Sequence, residues 1–435
     1  MSIFSCDGFK RLVFNSVTPN PCLDWASGRK SLMNKCTELI KHDLLNQYSS
    51  CLSVMVELLK LQRSILGGVC FLGSKGKWYI YLGVSCWLLV LMAQLYGVHK
   101  FWGNIDAMAE GIGVILMLGL LIVQAAHCLK HSDQLQHIID FLENLFNQFE
   151  NEECREIVLR TQALTNKVIK SLVPIFVTDV SFWIFPPFIR YYFDEDKHGR
   201  PRADNEPFPY FCFIMDFPFD ATHSPIFEVV FLVQLTCTTV LALFDIALLT
   251  IVFSTILFTA AYLKALATML RKLVDFEPGD KEIEDPEAYL NNCIRLHQQL
   301  LSFSVDLQQY LSPILIFFLK PFELFLCIAV YEAVQMTDKV STFVVSAIAL
   351  LSGISVLCAF GEHLKEQSEL LEKEVTACRW YLHSTRFKRH HLLLLAQCQR
   401  TIRLKVGFFY PLTLETFIKI LNTTYAYFNL LQQLR

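Results

Sequence analysis

The sequence predicts an all-α membrane protein with seven transmembrane helices, an inverted topology and cytoplasmic helical extensions. Composition is the first observation. Of 435 residues, 53% are hydrophobic and 18% are charged, whereas an ordinary soluble domain has roughly 25% charged residues. The mean hydropathy is +0.39. Secondly, apolar residues are grouped in stretches of about 20, the length that crosses a bilayer. Thirdly, Lys and Arg are distributed unequally between the connecting segments.

Residues 1–75 are predicted to form a cytoplasmic tail. Asp7, Lys10 and Arg11 interrupt the apolar run that a secretory signal would need. Residues 31–62 mix apolar and charged positions, which is typical of an amphipathic helix. The tail is therefore expected to remain inside the cell.

Seven predicted spans follow the tail. They cover residues 78–98, 105–126, 168–192, 226–263, 312–333, 342–360 and 406–435. The first four and their loops occupy residues 76–262. Pro186 and Pro187 predict a kink or an irregular end of the third span. The fourth apolar stretch is too long for one crossing, so its helix is expected to continue beyond the membrane to about residue 274.

Polar segments connect the spans. Residues 127–167 are a polar stretch that predicts a helix on the same side of the membrane as the tail. Residues 263–311 and 361–405 are predicted cytoplasmic anchor helices, with a separate helix over 390–405. Residues 193–225 lie on the opposite side and are aromatic and Pro-rich, so they predict an external cap loop.

The positive charges predict the orientation. The tail and the segments on its side hold 27 Lys and Arg residues, whereas the opposite side holds 6. Cytoplasmic segments of membrane proteins carry the excess of Lys and Arg. The amino terminus is therefore predicted inside and the carboxyl terminus outside, which is the reverse of a G-protein-coupled receptor.

The last predicted span carries a polar stripe on one face. At helical spacing the stripe contains Glu415, Lys419, Asn422, Ala426, Asn429 and Gln433. Polar and ionisable groups at membrane depth normally face a bundle interior or water. Two interpretations remain open. The helix lines a pore built from several copies, or the stripe is an intrachain polar seam packed against neighbouring helices.

The same stretch reads PLTLETFIKILNTTYAYFNLLQQ. It resembles the closing helix of insect odorant receptors, whose pattern is close to TLxTFIxILxxSYSYFxLL. The related insect gustatory receptors end in TYxxxxxQF. Here Thr424 and Tyr425 match, but the Gln comes one place late, at Gln432, and Leu434 stands where Phe is expected. The resemblance favours the odorant branch, and a divergent gustatory receptor channel is the alternative.

The resemblance implies a ligand-gated, non-selective cation channel. In this family an odorant-binding subunit joins an odorant coreceptor in a heteromeric tetramer, which lies among the lipids of the plasma membrane in the dendrites of olfactory sensory neurons and passes cations. The motif places a hydrophobic gate at Leu430 and a polar ring at Gln433, with Lys419, Thr423 and Ala426 lining the pore. A ring of Leu side chains can dewet, and Gln amides offer oxygens to cations.

The resemblance also implies a pocket for a volatile small molecule among the second to sixth helices, in the outer half of the membrane. Nine residues at that depth are the ligand-binding candidates: Met108, Ile112, Phe182, Trp183, Phe227, Phe231, Tyr331, Phe343 and Ser346. Such pockets are mostly apolar with a few orienting polar groups, for which Tyr331 and Ser346 are the candidates. Ordinary packing between helices is the alternative for each residue.

Other chemistry has little support in the sequence. The 15 Cys form no CxxC pair, and HExxH, P-loop, GxSxG and dinucleotide motifs are absent, so no enzyme activity, metal or cofactor is predicted. A net charge of −3 argues against nucleic acid. Contacts between helices are predicted for Asp179 and Asp245. A monomeric transporter using these carboxylates and Glu323 is the alternative.

Overall fold

The structure is a computed structural model that describes residues 77–149, 151–193, 208, 210–217, 219, 221–274, 285–334, 340–407 and 409–433. The predicted cytoplasmic tail lies outside these residues. By its internal contacts the chain divides into two units, Met1–Val54 and Met55–Arg435. All described residues belong to the second unit.

Helices make up nearly all of the described chain. They are α1 Lys77–Lys100, α2 Ile105–Lys130, α3 Ser132–Gln148, α4 Glu152–Phe193, α5 Ile226–Val274, α6 Pro286–Val334, α7 Val340–Ala377, α8 Thr385–Cys398 and α9 Leu414–Gln433. One antiparallel hairpin, formed by β1 Lys405–Val406 and β2 Tyr410–Pro411, lies between α8 and α9. The all-α prediction is therefore confirmed, with this small hairpin as an addition.

Five of these helices are long and apolar enough to cross a membrane: α2, α4, α5, α6 and α7. Helices α1 and α9, of 24 and 20 residues, are the two others that the seven-span prediction requires. Helix α5 extends to Val274, and α6 and α7 continue well beyond the length of one crossing. The extra turns form the helical extensions that the sequence predicts.

Helix α5 lies at the centre of the bundle. All thirteen residues from 251 to 263 are buried, because this stretch is apolar except for Ser254, Thr255 and Thr259 and packs against α4 and α7. The three hydroxyls donate to carbonyl oxygens of the same helix. The Tyr262 hydroxyl donates a hydrogen bond to the carbonyl oxygen of Leu142 at 2.6 Å, which joins α3 to the same core. The other long helices are arranged around this stretch.

Helix α4 continues through both prolines to Phe193, so of the predicted kink or irregular end near residue 186, the irregular end is wrong and the kink stays a prediction. Pro186 has no N–H group and leaves the carbonyl oxygen of Phe182, four residues earlier, without its helical donor. The hydroxyl of Thr342 on α7 donates to that oxygen at 3.1 Å. A side chain of the neighbouring helix thus replaces the missing backbone hydrogen bond.

The segment before α9 also differs from the prediction. The helix predicted over residues 390–405 is observed as α8, which begins after Ser384 and ends at Cys398. Ser384 caps this helix, since its hydroxyl accepts a hydrogen bond from the amide of Phe387 at 3.1 Å.

The last residue of α8, Cys398, is buried. Burial raises the pKa of the Cys398 thiol to about 12, so this sulfur is a neutral packing group.

The closing helix predicted over residues 406–435 begins only at Leu414. Gly407 has a φ of +58°, which glycine tolerates best, and it turns β1 into β2. The side-chain amide of Gln308 on α6 bonds both backbone groups of Lys405, at 2.7 and 2.8 Å. Gln308 therefore acts as a third strand partner and fixes the hairpin against α6.

Helix α7 approaches the hairpin closely at Gly361. A Cβ atom at this position would overlap the carbonyl oxygen of Leu412. The amide of Leu412 in turn donates to the carbonyl oxygen of Leu404 at 2.8 Å. Gly361 therefore sets the distance between α7 and the start of α9.

Gly361→Ala should lower the stability of the purified protein by about 1–3 kcal/mol, because the new methyl group meets a backbone oxygen that cannot move alone. Gly119→Ala is the matched control, since a Cβ on Gly119 meets no atom within 4 Å. Thermal unfolding in detergent measures both. Equal melting temperatures for the two variants would contradict the close packing at Gly361.

Candidate ligand cavity and pore helix

A cavity of about 110 Å³ lies between α2, α4, α5, α6 and α7. Most of its lining is apolar, and the residues concerned are Met117, Leu120, Leu121, Phe176, Val180, Ala242, Leu249, Phe317, Phe318 and Leu350. Three polar side chains complete the wall, Gln124 from α2, Asp179 from α4 and Asp245 from α5. A mostly apolar cavity with a few convergent polar groups is the usual form of a small-molecule site.

Asp179 begins a row of hydrogen bonds that joins α4 to α7. The Ser346 hydroxyl donates to Asp179 Oδ1 at 2.5 Å, and the Trp183 Nε1 group donates to Ser346 Oγ at 2.9 Å. The Trp183 ring lies edge-on to Phe343, with ring centres 5.6 Å apart. Trp183, Phe343 and Ser346 are all buried. The row therefore holds the Asp179 carboxylate in a fixed position on the cavity wall.

Gln124 and Asp245 both carry acceptor atoms that receive no hydrogen bond from the described residues. Gln124 is 2% exposed, and its Nε2 group donates to the carbonyl oxygen of Ile314 at 3.5 Å. Its Oε1 atom is buried and has no hydrogen-bond partner within the described chain. Asp245 likewise has neither a hydrogen bond nor an ion pair with any described residue. Two acceptor groups on this wall thus lack donors from the described residues.

The structure brings four of the nine ligand-binding candidates together. Phe182, Trp183, Phe343 and Ser346 meet where α4 packs on α7. None of the four lines the cavity directly, but Ser346 contacts it through Asp179. Their assignment to ligand binding stays a prediction.

Phe227 and Phe231 lie in a different environment. Both belong to an aromatic cluster beneath the described part of the loop predicted as a cap. Phe227 is completely buried and stacks on Tyr191 with ring centres 3.6 Å apart. Tyr210 and Phe211 from the loop complete the cluster. These rings contact one another and do not face the cavity.

The remaining three candidates also lie away from the cavity wall. Met108 is half-buried near the start of α2, where its sulfur accepts a hydrogen bond from the amide of Gly103 at 3.5 Å. Ile112 is 40% exposed and Tyr331 on α6 is buried. Sequence reasoning missed Gln124 as a lining residue, and it grouped Asp179 with Asp245 only in the transporter alternative and not among the ligand-binding candidates. The signal for all three was a polar side chain inside a predicted span.

Helix α9 is packed on one face only. Thr416, Ile420 and Thr424 are buried against α6 and α7. The opposite face is the predicted polar stripe. Its members Glu415, Lys419, Asn422, Ala426 and Gln433 are exposed, and Asn429 is half-buried. The stripe is therefore directed away from the helices of its own chain, which argues against the intrachain polar seam.

The predicted pore residues lie on or beside this stripe. Leu430 is 54% exposed, and Thr423 is half-buried with its hydroxyl bonded to the carbonyl oxygen of Lys419 at 2.9 Å. Lys419 and Glu415 form an ion pair at 2.8 Å. The side chains of this pair are 64% and 75% exposed in the protomer.

The base of α9 is tied to α6 by a second polar cluster. Lys320 forms an ion pair with Glu323 at 3.2 Å, and the Tyr410 hydroxyl donates to Glu323 at 3.3 Å. Lys320 also lies over the Tyr410 ring, 4.9 Å from its centre. Glu323 therefore binds the hairpin and does not line the cavity with Asp179 and Asp245, so the three carboxylates of the transporter alternative do not converge.

A family model described as 7tm Odorant receptor matches residues 105–425. The chain belongs to this odorant receptor family. The resemblance inferred from the closing helix is thereby confirmed, and the match favours the odorant branch over the gustatory one. A member of this family is a multi-pass membrane receptor.

Known odorant receptors are similar to this one at low identity. Odorant receptor 10 of Aedes albopictus is 27% identical over 219 residues, which are 49% of this chain and 57% of that receptor. Odorant receptor 82a of Drosophila melanogaster is 24% identical over 240 residues, or 54% of this chain and 60% of that receptor. The chain thus spans somewhat more than half the length of these two relatives.

The fold of this odorant receptor is that of a solved insect olfactory receptor. Receptor OR5 from Machilis hrabei, in complex with eugenol, superposes with a TM-score of 0.71 over 87% of this chain and 99% of that chain, at 16% identity. A second structure of OR5 gives a TM-score of 0.67 over 82% of this chain and 89% of that chain. The predicted seven-transmembrane helical fold is confirmed.

Ser346→Ala should destabilise this odorant receptor by about 1–3 kcal/mol, because it leaves both the Trp183 N–H and the Asp179 carboxylate without their partner in a buried interface. Ser352→Ala on the same helix is the control, since that hydroxyl bonds only the nearby carbonyl of Ala349. Thermal unfolding compares the two. A melting temperature of Ser346→Ala equal to that of the control would show that the row contributes nothing to stability.

Proposed function

We propose that this receptor is an odorant-gated, non-selective cation channel subunit that forms a heteromeric tetramer with an odorant coreceptor. Its amino terminus lies inside and its carboxyl terminus outside the plasma membrane of olfactory sensory neurons, in agreement with the excess of positive residues on one side. The observation that carries the proposal is the exposed polar stripe of α9.

The stripe is unsuited to lipid. A charged side chain at the centre of a bilayer costs about 2.5–3.5 kcal/mol by insertion measurements, and polar groups recur on this face from Glu415 to Gln433. An aqueous passage shared by several protomers removes that cost, because each copy contributes the same face to a common axis. The packed face of α9 stays against its own α6 and α7.

The order of residues along the stripe suits a channel. The ion pair of Glu415 and Lys419 neutralises the charges near the inner end. Thr423 and Ala426 are small and leave the middle of the passage wide. Leu430 forms a narrow apolar ring that excludes water when closed, and Gln433 offers amide oxygens to cations one turn further out.

The ligand site in this proposal is the cavity between α2, α4, α5, α6 and α7. Its size and apolar lining suit a small volatile molecule. The same helices hold α9. Helix α6 lines the cavity with Phe317 and Phe318 and binds Tyr410 through Glu323, while α7 lines it with Leu350 and contacts Leu412 at Gly361. A bound ligand can thus bias the position of the pore helix.

Cells that express this chain together with an odorant coreceptor should show inward cation currents when volatiles from a broad panel are applied. Whole-cell recording measures the response, and cells with the coreceptor alone provide the control. The same currents in the control cells, or none in cells with both subunits present at the surface, would contradict the proposed function.

Leu430→Ala should raise the resting current several-fold, because a smaller side chain widens the apolar constriction and favours its hydration. Leu421→Ala is the matched control, as Leu421 is an exposed leucine of α9 that lies off the polar stripe. Currents without odorant are compared at equal surface expression. Unchanged leak in Leu430→Ala would remove this residue as the gate.

A further inference from the structure

We infer that the cavity selects small molecules that carry a hydrogen-bond donor, namely alcohols, phenols and amines, over ethers and other ligands without one. This inference rests on the proposed function and deepens it, since it names the ligand class and the residues that recognise it. The recognising residues are Gln124, Asp179 and Asp245.

The atoms that lack a hydrogen-bond partner on the described cavity wall are acceptors. The carboxylate of Asp179 receives one hydrogen bond, from Ser346, and a carboxylate has room for several. Asp245 receives none from the described residues. Gln124 uses one amide N–H on the carbonyl oxygen of Ile314, and its buried Oε1 atom has no donor among the described residues. The other lining side chains are Met, Leu, Phe, Val and Ala, which offer no N–H or O–H group.

Buried acceptors without donors are costly. A hydrogen-bonding group that is removed from water and left unpaired loses the free energy of its hydration, and Gln124 is only 2% exposed. A ligand hydroxyl or amine supplies the missing hydrogen to these atoms. An ether of the same size has no hydrogen to donate, so it leaves these acceptor atoms unpaired.

The dimensions of the cavity limit the ligand. Its volume of about 110 Å³ is somewhat smaller than the engineered apolar cavity of about 150 Å³ that binds benzene. Phe176 on α4 and Phe317 and Phe318 on α6 offer aromatic surface from two helices. A short alkanol or alkylamine therefore fits the space with little rearrangement, whereas a single aromatic ring with one hydroxyl requires the cavity to widen.

Binding to the purified full-length chain in lipid nanodiscs tests the ligand class directly. Two pairs of probes have nearly equal size and differ in the donor, butanol against methyl propyl ether and phenol against fluorobenzene. Dissociation constants are obtained from the ligand dependence of thermal unfolding. The donor member of each pair should bind at least about tenfold more tightly, a difference of about 1.4 kcal/mol. Equal affinity within both pairs, or no measurable binding of any probe, would overturn the inference.

Substitution of the acceptors tests the residues. Asp245→Leu replaces the two acceptor oxygens with methyl groups in the same branched arrangement and should abolish the preference for butanol over methyl propyl ether. Asp245→Asn, which keeps the side-chain shape in case the first variant does not fold, should reduce that preference several-fold. Asp140→Asn is the control, because Asp140 on α3 accepts a hydrogen bond from Gln136 at 2.7 Å outside the cavity. Full preference in both Asp245 variants would refute the assignment.

Recording from cells with the coreceptor separates this inference from the proposed function. Selective binding of butanol and phenol in nanodiscs, with no current from any volatile, would refute the channel and leave the ligand class standing. Equal currents from the two members of each probe pair, together with equal binding, would refute the ligand class and leave the channel standing.

Discussion

The arrangement of the bundle depends on the complete burial of one helical stretch. Residues 251–263 of α5 touch protein on every side, so α4 and α7 must pack around this rod, and α6 joins them. The unbroken run of buried residues begins at residue 251, and burial is uneven before it. There Ala242, Asp245 and Leu249 face a cavity instead of a neighbouring side chain. The position of the candidate ligand site is thus a consequence of where tight packing around α5 stops.

Helix α9, unlike the buried stretch of α5, is packed against the described helices on one face only. It is held on one face by Thr416, Ile420 and Thr424, while the face that bears Glu415 and Gln433 meets none of the described helices. A polar face of this kind is costly in lipid. The described protomer is therefore incomplete at this helix, and the proposed tetramer removes the cost by placing four such faces around water.

Sequence periodicity predicted the long helices because each needs a continuous apolar run, and that property is local. It could not predict which faces meet. The sequence predicts Phe227 at the membrane depth expected of a ligand contact. Its ring instead stacks on Tyr191, in the aromatic cluster that includes residues of the predicted cap loop. Asp245 was recognisable as an intramembrane carboxylate, but only the packing of five helices places it beside Asp179. The hairpin was missed because strands of two residues show no alternation, so Gly407 was its main local signal.

In the proposed channel, α6 offers the shorter connection from ligand to pore. Phe317 and Phe318 line the cavity, and Lys320 and Glu323 follow within two helical turns and contact Tyr410 at the base of α9. The connection along α7, from Leu350 to Gly361, is about 16 Å long. Gln308, which precedes Lys320 on α6, bonds the same hairpin. Because packed helices move as rigid units, a ligand that displaces α6 must move the hairpin with it, and the start of α9 follows.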